Sequence, residues 1–224
     1  MTDAYRTIAP LPPNRIAVPV VKQETDFSCG VAAALSILRL WRWDAYRDVD
    51  ERALYATLET TEARGTEPEP IVAALRRAGL DAVYRHGDVT LAQLERAVDA
   101  GEPPIVDLQA WRDDPAKPWS DTWDAGHYVV LVGYDAERLY VMDPSVLTKG
   151  GYAHFPRAEL PERWHDLAGL EDARLERMVI FVRGSGARWQ PHVHDGPEAS
   201  DGRSASDAGD ASDVSGESIA TLLG

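Results

Sequence analysis

A single cysteine, Cys29, stands in the run Gln23-Glu24-Thr25-Asp26-Phe27-Ser28-Cys29-Gly30, directly ahead of an apolar stretch. A lone thiol where a loop opens into a helix is suited to nucleophilic attack. The thiolate is the attacking species, and a helix N-terminus, with its partial positive charge and free N–H groups, favours it over the thiol. Taken alone, a cysteine is more often a small buried apolar residue. Three other residues change that reading. His127 opens an apolar, β-branched run beside Gly126, where an imidazole can project into a cleft and carry a proton between thiol and leaving amine. Asp143 closes the following run, ahead of Pro144. If Asp135-Ala136-Glu137 forms a hairpin turn, His127 and Asp143 fall at the same end of two antiparallel strands, and the carboxylate can orient the ring. Asp-Pro also initiates turns, and both roles are compatible. Gln23 precedes the cysteine. Its amide N–H, together with the backbone N–H of Cys29, would make a pair of donors for an oxyanion.

The elements that must carry these residues are legible in outline. Ala32, Leu35, Ile37, Leu38 and Trp41 are dense enough for a buried helix beginning at Cys29. Asp50 can cap a second helix carrying Ala53, Leu54 and Leu58. Glu67-Pro68-Glu69-Pro70 starts a third, which Gly79 stops, and Thr90 caps a fourth, which ends at Gly101. Strand patterns cover Leu80–Tyr84, Pro104–Leu108, His127–Tyr134, Arg138–Met142, Gly151–Phe155 and Arg177–Arg183. Helices leading and an antiparallel sheet trailing is an α+β pattern. Trp111, Trp119 and Trp123 lie with Asp113, Asp114 and Asp121 in a long loop before His127. They read either as a substrate wall or lid, or as pins holding the loop to the core. Asp124 precedes the strand and is a weaker partner for His127 than Asp143.

Composition bounds the rest. The chain has 224 residues, 44% of them hydrophobic, with seven tryptophans, so one globular domain with an appendage is expected. A net charge of −14 argues against nucleic acid and against anionic lipid as partners. One cysteine rules out an internal disulfide framework and a Cys-rich zinc site. No apolar run approaches a membrane span and no signal peptide is evident, so a cytoplasmic protein is expected. His154 and His165 have no obvious partner, and His192 and His194 read as solvated rather than metal-binding, so neither a metal nor a cofactor is expected. From Asp195 onward the chain is acidic and rich in Ser, Gly and Ala, a composition that favours disorder.

The Gln23–Gly30 segment, Gly126-His127-Tyr128-Val129-Val130-Leu131-Val132-Gly133-Tyr134 and Tyr140-Val141-Met142-Asp143-Pro144-Ser145 together resemble the bacteriocin-processing, double-glycine-leader cysteine peptidases of the papain-like superfamily. Gly65-Thr66 ahead of a helix adds to the likeness, which covers about 20–183. The resemblance implies a papain-like fold, with a helical part packed on a C-terminal antiparallel sheet. It implies 20–183 as the peptidase domain, with residues 1–19 as an N-terminal extension, while the change of composition near Gly184 marks 184–224 as an acidic tail. It implies Cys29 as nucleophile, His127 as general base and acid, Asp143 as its orienting partner and Gln23 as oxyanion donor. The expected activity is cleavage of a peptide or leader sequence through an acyl-enzyme. Peptidyl or acyl transfer on the same site, and a non-catalytic peptide-binding module, are the alternatives.

Overall fold

The computed structural model describes residues 15–145, 151–169, 173–186 and 188–191, together with the backbone of 6–8. The helices are α1 (Cys29–Trp41), α2 (Trp43–Tyr46), α3 (Pro68–Arg77), α4 (Leu91–Asp99) and α5 (Leu160–Arg163). The strands are β1 (Arg6–Ile8), β2 (Asp81–Arg85), β3 (Ile105–Gln109), β4 (Gly126–Tyr134), β5 (Arg138–Met142), β6 (Tyr152–Pro156), β7 (His165–Ala168), β8 (Ala173–Glu176) and β9 (Val179–Arg183). Seven strands form one sheet in the order β1-β6-β5-β4-β3-β9-β2, antiparallel at every pairing, and β7 and β8 form a separate hairpin.

The sheet is covered on both faces, which explains why β4 reads as a nearly continuous apolar run rather than an alternating one. Tyr128, Val130 and Val132 face the core built around α1, whereas Val129 and Leu131 face a second core with Leu94 of α4, Leu160 of α5 and Trp164. α1 is the central helix. Its Ala32, Ala33 and Ala34 are fully buried and let its backbone approach the sheet closely. Ser36 is buried within it and donates to the Pro19 carbonyl at 2.7 Å, so the helix carries no orphaned hydroxyl there. Thr90 and Gln93 close a capping box on α4, and Gly79 and Gly101 take the positive φ that ends α3 and α4.

The sequence pattern and the structure part in several places. The helix expected after Asp50 is only a 3-10 turn, Glu51–Leu54, and Glu59 takes a positive φ beyond it. Asp50 still caps it, accepting from the Arg52 N–H at 2.8 Å. β1, α2, α5 and the β7–β8 hairpin carry little apolar periodicity and were not expected. Residues 15–19, placed in the expected extension, are built into the domain. Ile16 donates to the Val132 carbonyl at 2.8 Å, and Val18 is fully buried. Packing also continues past the expected boundary at Gly184. The Trp189 N–H donates to the Leu40 carbonyl at 2.8 Å, and the ring lies 5.9 Å from that of Trp43. Residues 192–224, with His192, His194 and the acidic stretch, lie outside the described residues. Among the described residues no helix is long and apolar enough to cross a membrane.

Candidate active site

Cys29 is the first residue of α1 and His127 the second of β4, so both stand where an element begins and a cleft can open. The loop before Cys29 is held rigidly. The Thr25 N–H donates to Ser28 Oγ at 3.2 Å, and the Glu24 N–H donates to Glu51 Oε2 at 2.7 Å. Because Ser28 spends its hydroxyl on that turn, it gives α1 no side-chain cap, and the first turn contains no acid. The N–H groups opening α1 are thus left to whatever negative charge arises at Cys29.

Gly30 allows the helix to reach the cleft wall. A Cβ there would lie 2.9 Å from the Thr66 Cβ and 3.1 Å from the Tyr128 ring. Neither neighbour can swing away freely, since the Thr66 and Thr60 hydroxyls are joined at 2.8 Å. Gly30→Ala should therefore destabilise the fold by about 1–3 kcal/mol and lower the alkylation rate of Cys29, both measurable by thermal melts and intact-mass labelling.

The β4–β5 hairpin brings His127 and Asp143 together. Asp135 fixes its turn by accepting the N–H groups of Glu137 and Arg138 at 2.9 and 2.8 Å. His127 Nε2 donates to Asp143 Oδ1 at 2.8 Å, and the two side chains are 2% and 1% exposed. The Ser145 N–H and Oγ donate to the same oxygen at 2.8 and 2.7 Å. Burial alone pushes the Asp143 carboxyl up, but His127 and Ser145 outweigh it and hold the group below the ordinary carboxylate range. Burial likewise opposes charge on His127, yet Asp143 and a hydrogen bond with Cys29 raise it to about 10. With Nε2 committed to Asp143, the ring offers Nδ1 to the thiol. Trp111 stacks on His127 at 4.8 Å between ring centroids.

Gln23 is tied to this group by its backbone, whose N–H donates to the Pro144 carbonyl at 3.0 Å. Its side-chain amide donates instead to the Thr25 carbonyl at 2.6 Å and is not part of the cleft lining. The structure thus joins His127 to Asp143, sets Cys29 in the same cleft lining as His127, and leaves the Gln23 donor engaged elsewhere. Asp124 lies on the exposed rim of the cleft rather than on His127.

The cleft has a volume of about 360 Å³ and is lined by Phe27, Cys29, Thr66, His127, Trp123 and Asp166 to Ala168 of β7. The long loop before β4 both pins and walls. Trp119 is buried under the guanidinium of Arg163, 4.0 Å from its ring centroid, and Arg163 donates to the Gln109 and Ala110 carbonyls at 2.8 and 3.0 Å. Trp123 stacks on His165 at 4.2 Å, and His165 Nε2 donates to the Thr122 carbonyl at 2.7 Å. The sequence reading left out Glu51, Asp107, Gln109, Arg163 and Asp166. A charged residue inside the apolar run 104–108 was the one available signal, at Asp107.

The model of the peptidase C39-like family matches residues 15–171. Among solved structures, a C39-like peptidase from Bacillus anthracis is 19% identical, covers 77% of this chain and 99% of its own, and superposes with a TM-score of 0.52. The peptidase domain of Streptococcus ComA, a bifunctional ABC transporter involved in a quorum-sensing pathway, is 18% identical. It covers 74% of this chain and 98% of its own, with a TM-score of 0.51. At such identities the likeness concerns the fold, which is the papain-like α+β arrangement expected from the sequence. No curated protein matches the chain.

Proposed function

The chain belongs to the peptidase C39-like family and is a cysteine peptidase, and from that premise we propose that Cys29, His127 and Asp143 are its catalytic triad, acting on an extended peptide laid along the cleft. The observation that supports this reading is the buried His127–Asp143 pair, with His127 lining the same cleft as Cys29.

Cys29 Sγ attacks the scissile carbonyl carbon and the C=O electrons move onto oxygen. The oxyanion lies toward the uncapped start of α1, where the Cys29 N–H is one donor. Gln23 supplies a second once its amide leaves the Thr25 carbonyl for the oxyanion, a short side-chain rotation from a backbone position fixed by Pro144. His127 gives its Nδ1 proton to the leaving nitrogen, and the C–N bond breaks to leave a thioester on Cys29. Water then loses a proton to His127 and attacks the thioester, restoring the thiolate–imidazolium pair. Asp143 keeps Nε2 protonated throughout and aims Nδ1 at the reaction.

The direct experiment is acid quench of wild type mixed with a random peptide library, followed by intact-mass and product analysis. The expected result is a thioester adduct on Cys29 and new peptide termini. A reactive Cys29 with neither adduct nor cleavage would refute the reading.

Asp143 provides a graded check. Asp143→Asn keeps the shape but removes the charge that favours imidazolium, so kcat/KM should fall at least about 100-fold. The alkaline limit of activity should also move from near 10 toward neutrality. An unchanged pH profile would show that Asp143 only terminates the strand.

A further inference from the structure

The cleft beside Cys29 is acidic. Asp26, Glu67, Asp124 and Asp166 line it, and the guanidinium among the lining residues, that of Arg64, is paired with Glu67. Deeper in the same wall lies Asp107 of β3, opposite Tyr128 of β4 and 3% exposed. Its neighbours in the strand, Ile105, Val106 and Leu108, are all core residues. Burial and the neighbouring Asp166 push the Asp107 carboxyl well up, and burial pushes that of Asp166 up, so the pair favours a proton.

Asp166 is held in place from two sides. Gln109 Nε2 donates to its Oδ1 at 3.0 Å, and the missing side chain of Gly126 leaves the space its carboxyl occupies. Asp107 Oδ1, by contrast, has no hydrogen-bond partner among the described residues although it is shut off from water. Leaving a carboxylate oxygen buried and unpartnered is costly, and the strand gains nothing from it that a valine would not supply. The cationic ring nearby, His127, is hydrogen-bonded to Asp143 rather than to Asp107. A cation carried by a bound peptide would supply the partner that no described residue gives Asp107 Oδ1.

We infer that Asp107 and Asp166 form a subsite for a cationic side chain of the peptide, a lysine or arginine beside the scissile bond. The ammonium or guanidinium would donate to the Asp107 and Asp166 carboxylates, replacing the proton on the pair with charge-assisted hydrogen bonds. The exposed Leu167 next to Asp166 offers apolar surface for the methylene stem. This inference rests on the cleft being the peptide site proposed above, and its test separates the two.

Fluorescent, end-blocked octapeptides carrying Lys, Arg, norleucine or Gln at each position in turn would be bound to the Cys29→Ala variant. The same set would be offered to wild type for cleavage. The expected result is one position at which Lys or Arg binds about 10–100-fold more tightly than norleucine. That preference should fall to within about 2-fold when Asp166→Asn is added, and Asp107→Asn should act in the same direction. Equal or tighter binding of norleucine at every position would overturn the inference. So would a basic preference that survives both substitutions. Preferential binding with no cleavage by wild type would leave the subsite standing and remove the peptidase mechanism, whereas cleavage without preference would do the reverse. Calcium chloride serves as the control for a metal: saturable calcium binding lost in Asp166→Asn would make the pair a metal site and overturn the assignment.

Discussion

Cys29→Ala should abolish peptide cleavage, a loss on the order of 10⁶-fold in kcat, while leaving the fold in place. The side chain is half-buried at the first position of α1, and the neighbours that set the helix, Gly30 to Leu35, are themselves fully packed. Removing one sulfur from that position deletes no hydrogen bond that holds an element together. Cys29→Ser should be nearly as inactive, for a different reason. His127 is held protonated by Asp143, with its affinity for the proton raised to about 10. An imidazolium cannot take a proton from a serine hydroxyl, whereas a thiolate attacks without a base. Ser28 cannot substitute, because its hydroxyl donates to the Thr25 carbonyl at 3.3 Å. Steady-state rates on any peptide cut by wild type would check this, with far-ultraviolet circular dichroism confirming the fold. Residual cleavage above one part in about 10³ would require another nucleophile.

His127→Ala has the next largest effect and a double signature. Activity should drop by about 10⁴-fold or more, since the proton donor to the leaving amine and the counter-charge of the thiolate go together. Stability should fall too, by about 3–5 kcal/mol near neutral pH, because Asp143 remains buried with only Ser145 to support its charge. The pH dependence fixes the origin of that loss. His127 is raised from 6.5 to about 10 in the fold, so its contribution is complete below about 6.5 and disappears as pH rises through 10. Asp143 is lowered from 3.8, so its contribution is present above 3.8 and disappears as pH falls through its depressed value. Wild type should therefore lose stability between pH 6.5 and 10 along a slope that His127→Ala lacks. Parallel denaturant titrations at pH 5, 7 and 9.5 would read it. Equal slopes in the two proteins would place the pair outside the energetics of the fold.

Most of what the sequence made legible was local. α1 begins at Cys29 and β4 spans the apolar run at His127 because dense apolar residues leave little choice of element. The meeting of His127 and Asp143 could be read because a hairpin turn links the two strands, and Asp135 encodes that turn. The residues missed are those whose partners are distant in the chain. Arg163 looks like a surface base in a short helix until Gln109, Ala110 and Trp119 close around it. Asp166 sits in a polar stretch with no strand pattern, and only the fold sets it against Gly126 and Asp107. Gln23 shows the opposite limit: its position near the site was legible, but the rotamer that gives its amide to Thr25 was not.

The most direct test of the central claim is the rate at which iodoacetamide alkylates Cys29 between pH 4 and 10, read by intact mass in wild type and in His127→Ala. A thiolate–imidazolium pair predicts rapid alkylation of wild type from the acid end of that range, with the low-pH reactivity lost in the variant. Alkylation that rises only near the pH of an ordinary thiol, about 8.5, and equally in both proteins, would contradict it.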